Sequence, residues 1–221
     1  MIDSSTLLLA DGRFPAGGHA HSGGLEPAVS AGTVHDLATL ELFLRGRLRT
    51  AGLVAAALAA AACTAACAGG PEAFAALDAE ADARTPSPAQ RATSRRQGRA
   101  LLRAARTAWP QASQLHELAT GGQPPHHPIV LGAAAAAAGC TPRYAALIVA
   151  YQSVTGPASA AVRLLALDPL AVNALLAALA PEIDAVASQA SSATDLPCPS
   201  APALDLLAEA HARSELRLFA S

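Results

Sequence analysis

Apolar residues recur at helical spacing along most of the chain. Leu40, Leu44 and Leu48 fall one turn apart, and an uncharged Ala-rich run follows from Ala51 to Ala68. That repeat predicts helices with one face toward a core. A first short helix starts after Ser4 or Ser5 and ends at Asp11-Gly12. A glycine-rich loop follows, Arg13 to Gly24, and Leu25 to about Ala31 makes one or two turns. Asp36 can cap a long helix that runs through the three leucines and stops at Gly69-Gly70. Gly46 and Gly52 weaken it by roughly 1 kcal/mol each relative to Ala, unless another helix crosses closely there.

Further on, Pro71 suits the first turn of a helix reaching about Arg84. Thr85-Pro-Ser-Pro88 breaks the chain. The next helix carries Arg91, Arg95, Arg96, Arg99, Arg103 and Arg106, with Leu101 and Leu102 on another side. A short piece covers Gln111 to Ala119, and Gly121 to Pro128 forms a rigid loop. Helices are then expected over 129–139, 142–155, 157–166, 169–180 and 181–190. Thr194 to Pro202 reads as a linker, leaving 203–221 as an amphipathic tail. The expectation is an all-α fold: a single helical-bundle domain over 1–193 and, over 194–221, a Pro-rich linker with an extended C-terminal docking tail.

Composition narrows the function. The chain has 221 residues, room for one well-buried domain. Hydrophobic residues make up 52% and aromatics only 3%, so Leu, Val and Ala must build the core. Strand formers are scarce, which excludes an all-β fold. All 15 basic residues are arginine. Without lysine there is no phosphate-cradling Walker loop and no Schiff-base nucleophile. A net charge of −2 and few scattered aromatics argue against nucleic-acid binding. Four cysteines do not suggest a disulfide scaffold. The N-terminus lacks a basic region before its apolar run, so no signal peptide is expected. Ala51 to Ala68 could span a bilayer by length, but its alanines favour a buried soluble helix. A cytoplasmic protein without membrane contact is the expectation.

Candidate chemistry is sparse. Gly17-Gly18 and Gly23-Gly24 permit left-handed backbone or close approach of another chain. His19 and His21 point the same way in an extended loop and could share a metal, though two imidazoles are not a complete site. Ser22, in Ala20-His-Ser-Gly-Gly24, faintly matches a nucleophile elbow, but no strand precedes it. Cys63 and Cys67 share a helix face, as small core fillers or as a metal or redox pair. His126-His127 reads as a solvated or packed turn, and the arginine helix as a solvated face that could meet acidic partners. In the tail, Leu204, Leu206, Leu207, Leu216, Leu218 and Phe219 are costly to leave in water, at about 1.5–3 kcal/mol each when fully buried. They either dock into a partner or fold back on their own bundle.

The stretch from Leu7 to Glu26, Leu-Leu-Leu-Ala-Asp-Gly-Arg-Phe-Pro-Ala-Gly-Gly-His-Ala-His-Ser-Gly-Gly-Leu-Glu, resembles the N-terminal signature of the UreF family of urease accessory proteins. Arg96 to Leu102, His127 to Gly132, Ala160 to Leu165 and the end from His211 to Arg217-Leu-Phe-Ala-Ser221 are similar to further parts of that family. His19 stands where an aromatic is common, and Ala212 where a Glu is common. The resemblance implies an all-α, non-catalytic protein that dimerises. It further implies a complex with the UreD/UreH protein and the GTPase UreG that helps insert nickel into apo-urease. Nickel is then the cargo of the assembly, with no cofactor bound stably. By the same analogy His21, Ser22, Gly23, Gly24, Leu25 and Glu26 shape a dimer or GTPase-facing surface, and Arg217, Leu218 and Phe219 bind UreD/UreH. The rival readings are a stand-alone metal-binding helical protein, using His19/His21 or Cys63/Cys67, and a serine hydrolase at Ser22.

Overall fold

A computed structural model describes residues 4–12, 14–15, 21–68, 70–120, 122–214 and 218–219. The described helices are α1 (Ser4–Ala10), α2 (Leu25–Ser30), α3 (Leu37–Arg47), α4 (Leu53–Ala68), α5 (Pro71–Ala83) and α6 (Pro88–Ala108). They continue with α7 (Ser113–Ala119), α8 (His127–Ala137), α9 (Pro142–Leu164), α10 (Pro169–Ser192) and α11 (Pro202–Ala212). The fold is all-α.

Local chemistry sets most of the starts. The Asp36 carboxylate accepts from the Thr39 amide at 2.8 Å, and the Thr39 hydroxyl accepts from the Asp36 amide at 3.0 Å, a closed capping box for α3. Proline occupies the first turn of α5, α6, α9, α10 and α11, where its missing N–H costs nothing. Leu40, Leu44 and Leu48 are fully buried, as their spacing requires. A π-helical turn, Leu48–Gly52, joins α3 to α4 without a break. Helix α9 crosses close to that turn: a Cβ at Gly52 would sit 2.8 Å from the Ser153 hydroxyl.

Helix α4 is the hub, with α8, α9 and α10 packed around it and α6 lying over α8. Short side chains let these axes approach. Ala56, Ala59, Ala62 and Cys63 of α4 are fully buried, as are Ala133, Ala134 and Ala135 of α8. A Cβ at Gly132 would stand 2.7 Å from the Ala62 methyl and 2.9 Å from the Cys63 amide nitrogen, closer still to the Ala59 carbonyl. Each alanine buries little area, so dense helix-to-helix contact replaces the aromatic bulk that the chain lacks. By length and composition the helix Leu37–Cys67, α9 and α10 could each cross a membrane, but 56% and 61% of the first two apolar windows are buried inside the bundle. The apolar faces of those two are largely taken up by packing in the bundle, whereas 33% of the α10 window is buried.

Two expected breaks are absent. The helices expected over 142–155 and 157–166 are one, α9, which ends at Leu164 with Pro157 inside it, and those expected over 169–180 and 181–190 are one, α10, with Pro181 inside. A proline in a helix interior deprives the carbonyl four residues back of its partner. At Pro157 that carbonyl belongs to Ser153, and Arg47 of α3 supplies the donor, its Nε 3.0 Å away. Burial pulls the Arg47 guanidinium down to about 10, so it stays charged near neutrality. Helix α8 starts at His127, two residues before its expected start.

The segment after α10 lies against its own domain. Arg84 at the end of α5 donates to the carbonyls of Pro197 at 3.0 Å and Leu196 at 3.2 Å. Helix α11 packs on α6 and α2. Glu209 accepts from the Ala89 amide at 2.9 Å and from the Ser87 hydroxyl, placing a carboxylate at the N-terminus of α6. Of the two fates open to the tail, folding back on the bundle describes α11 and Phe219.

Candidate functional site

The turn into α2 brings the N-terminal signature and the C-terminus together. Gly23 and Gly24 have φ of 61° and 89°, left-handed values that a side chain would strain. A Cβ at Gly23 would also stand 3.0 Å from Pro157 and 3.3 Å from the Arg47 guanidinium. The turn therefore rests on the place where Arg47 repairs α9. Ser22 is fully buried, and its hydroxyl accepts from the Glu26 amide at 3.2 Å. Its side chain braces the first turn of α2 and is closed to solvent, which is no position for an attacking hydroxyl.

Glu26 is the centre of this site. Its buried carboxylate accepts from the Leu218 amide at 2.7 Å and from the Phe219 amide at 2.9 Å. His211 Nε2 lies 3.5 Å from the same carboxylate and 3.3 Å from the Phe219 carbonyl. The Phe219 ring is buried with the Arg163 guanidinium 5.1 Å from its centroid, a cation–π contact. Leu218, by contrast, is 75% exposed. One carboxylate thus pins two consecutive backbone amides, burying the Phe219 side chain and presenting Leu218 outward. Hydrogen bonds to a charged group contribute about 1.5–3 kcal/mol each. Glu26→Ala should therefore free the C-terminus while the bundle stays folded. Native-state hydrogen exchange at the Phe219 amide is expected to speed up at least about tenfold, with amides of α4 unchanged; equal exchange in both proteins would contradict the pinning.

His21 is partly buried and close enough to His127 for their charges to interact. Burial, followed by the charge of His21, pushes the His127 imidazole down to about 4. A depressed imidazole binds its proton more readily in the unfolded chain, so its contribution is full above about 6.5 and is lost as pH falls toward about 4. Thermal melts should show a larger drop between neutral pH and pH near 4.5 for the natural chain than for His127→Gln. Matching drops would remove His127 from the account.

The remaining sequence candidates are dispersed. His19 and Arg217 lie outside the described residues. Cys63 is buried, donates to the Cys140 carbonyl at 3.5 Å, and is held as a thiol, its titration pushed up to about 12 by burial and by Cys67 and Cys140. Cys67 is exposed. The two share a helix, but Cys63 faces the core and Cys67 the solvent, and among the described residues neither belongs to a group of three or more potential ligands.

A second constellation escapes sequence reading. Arg95 of α6 is 8% exposed and pairs with Asp78 at 2.8 Å and Asp82 at 2.7 Å, both on α5, while donating to the Pro124 carbonyl at 2.7 Å. His126 is 1% exposed, with Nε2 2.8 Å from Asp82 and Nδ1 3.0 Å from the Ser94 hydroxyl. Its backbone amide donates to Asp78 at 2.8 Å. Burial works to raise the Asp82 carboxyl, but hydrogen bonds and charge from His126 and Arg95 outweigh it and hold the group below the usual carboxylate range. Asp78, Asp82 and His126 could geometrically hold a metal. The Arg95 guanidinium already neutralises both carboxylates, so the arrangement clamps the 122–126 loop onto α5 and α6. The sequence signals are the i, i+4 spacing of the two aspartates on one helix, the turn at His126-His127 and an arginine helix able to meet acidic partners.

Neither place sets a nucleophile beside a base in an open cleft. What the geometry offers is a fixed N-terminal turn, a pinned C-terminus and an outward Leu218, features suited to contact with other chains. Residues 34–180 match the family model for UreF. The urease accessory protein UreF of Mycobacterium sp. (strain JLS) is 50% identical over 223 residues, spanning 100% of both chains.

The chain belongs to the UreF family of urease accessory proteins.

The UreF proteins of Mycolicibacterium vanbaalenii, 49% identical over 99% of this chain and 98% of its own, and of Mycobacterium tuberculosis (strain ATCC 25618 / H37Rv), 45% identical over 97% of each, are similar. Membership makes the chain an accessory protein and not an enzyme. The family model leaves out both the Ser22–Glu26 turn and Phe219, whereas the full-length relatives span them.

Proposed function

We propose that this chain is a cytoplasmic, non-catalytic scaffold that dimerises and, with the UreD/UreH protein and the GTPase UreG, promotes GTP-dependent insertion of nickel into apo-urease. The observation that carries the reading is the 50% identity to a urease accessory protein UreF over the whole chain. The site supports it in kind: buried Ser22, Leu25 and Glu26 act by shaping a surface, and exposed Leu218 is available to a partner. In this reading the His21–Glu26 turn forms the dimer or GTPase-facing surface, and the Arg217-Leu218-Phe219 segment engages UreD/UreH, with Phe219 buried as its anchor and Leu218 facing the partner. Nickel is cargo handed between proteins, and the nucleotide chemistry belongs to the GTPase.

The test is co-expression of urease with its maturation proteins, with and without this chain. Urease purified without it should lack nickel and activity; full nickel loading in its absence would overturn the proposal. Truncation after Pro202 should abolish co-purification with the UreD/UreH partner, and an intact complex would refute the tail assignment alone.

A further inference from the structure

Helix α6 carries six arginines and no acidic residue. Three are committed within the chain. Arg95 holds Asp78 and Asp82, Arg91 donates to the Thr85 carbonyl at 2.7 Å, and Arg96 donates to the Thr93 hydroxyl at 2.8 Å. Arg99, Arg103 and Arg106 are exposed, and their guanidinium groups have no ion pair or hydrogen bond with any described residue. Their i, i+4, i+7 spacing sets them in one stripe, about 10 Å long at 1.5 Å per residue. The stripe lines an open groove of about 560 Å³, with His116 and Leu118 of α7 also lining it and Leu102 and Pro124 adding apolar surface.

We infer that this groove binds an acidic, partly apolar peptide segment of another protein. Arginines one and two turns apart match successive carboxylates along a peptide, each received by a planar guanidinium fork. Apolar surface between the charges gives the intervening side chains somewhere to lie. A single-stranded nucleic acid would require stacking aromatics, and the groove is lined by no Phe, Tyr or Trp. Exposed ion pairs are individually weak, so the three must act together and the affinity must fall as salt rises.

The test uses the full chain and a fluorescein-labelled synthetic peptide alternating Glu with Leu and Ala, followed by anisotropy at low salt. Binding should be saturable, and at least about tenfold weaker for R99Q/R103Q/R106Q. R143Q/R213Q, which removes two exposed arginines elsewhere, should leave it nearly unchanged. Circular dichroism checks the fold. If the triple variant melts early, Arg103→Glu in the middle of the stripe carries the same comparison and the same expected loss. Equal binding by the groove variant, or by a peptide with Gln in place of Glu, overturns the inference. So does tighter binding of a uridine-rich RNA, or displacement by millimolar inorganic phosphate, either of which would mark a phosphate site.

Discussion

Gly132→Val is expected to leave no folded bundle. Gly132 sits where α8 meets α4, and any side chain there runs into the Ala59 carbonyl, the Ala62 methyl and the Cys63 amide. Two of those three are backbone atoms, which cannot swing aside as a flexible side chain does. Overpacking a core by even a methylene or two costs about 1–3 kcal/mol. Here the helices would have to separate along the contact that organises the domain, against a total stability of about 5–15 kcal/mol. Gly132→Ala should remain folded with a urea midpoint lowered by the equivalent of about 2–3 kcal/mol. Gly46→Ala supplies the control, since a Cβ there meets nothing within 4 Å, near the end of α3 where the helix runs on without a break toward α4. It should stabilise the protein by up to about 1 kcal/mol. Urea titrations of all three variants decide the matter, and a natural-like midpoint for Gly132→Val would show that α4 and α8 are not in such close contact.

Arg95→Met is expected to cost about 2–3 kcal/mol: Arg95 is buried, but Asp78 and Asp82 are partly solvated, so the penalty falls short of that for a fully buried pair. The loss leaves Asp78 and Asp82 facing each other around His126 without their shared cation, and strips the Pro124 carbonyl of its donor. Arg95→Lys should fall between, because one ammonium cannot span both carboxylates and the carbonyl in the planar geometry that the guanidinium fits. The urea midpoint should follow the order Arg, Lys, Met. A Met variant as stable as the natural chain would show that the cluster contributes nothing to holding the 122–126 loop in place.

The sequence reading and the structure part company at identifiable places. Helix starts were legible because their causes are local: the Asp36 capping box and the prolines at first turns act within a few residues. Pro157 and Pro181 read as breaks in the sequence, yet both lie inside helices, and at Pro157 a distant group takes over the freed carbonyl. Arg47 lies more than a hundred residues from Ser153, and nothing in its neighbourhood marks that role. The Arg95 cluster was hidden for the same reason, since His126 and the two aspartates belong to segments far apart in the chain. Composition announced a core built mainly of Leu, Val and Ala, with Phe74 and Phe219 its buried rings among the described residues, but Gly132 as its tightest point requires knowing which helices cross. At the N-terminal turn, the residues Ser22 to Glu26 were singled out for contact with other chains. Their burial shows that Ser22 and Glu26 also organise this chain itself, one bracing α2 and the other fastening the C-terminus.

The fastening of Leu218 and Phe219 to Glu26 has a practical corollary for anyone handling the protein. An affinity tag appended after Ser221 would begin, in sequence, two residues past a buried phenyl ring that is itself fastened beside the N-terminal turn. It would crowd the surface that a pull-down is meant to probe, so a lost interaction could report on the handle and not on the partner.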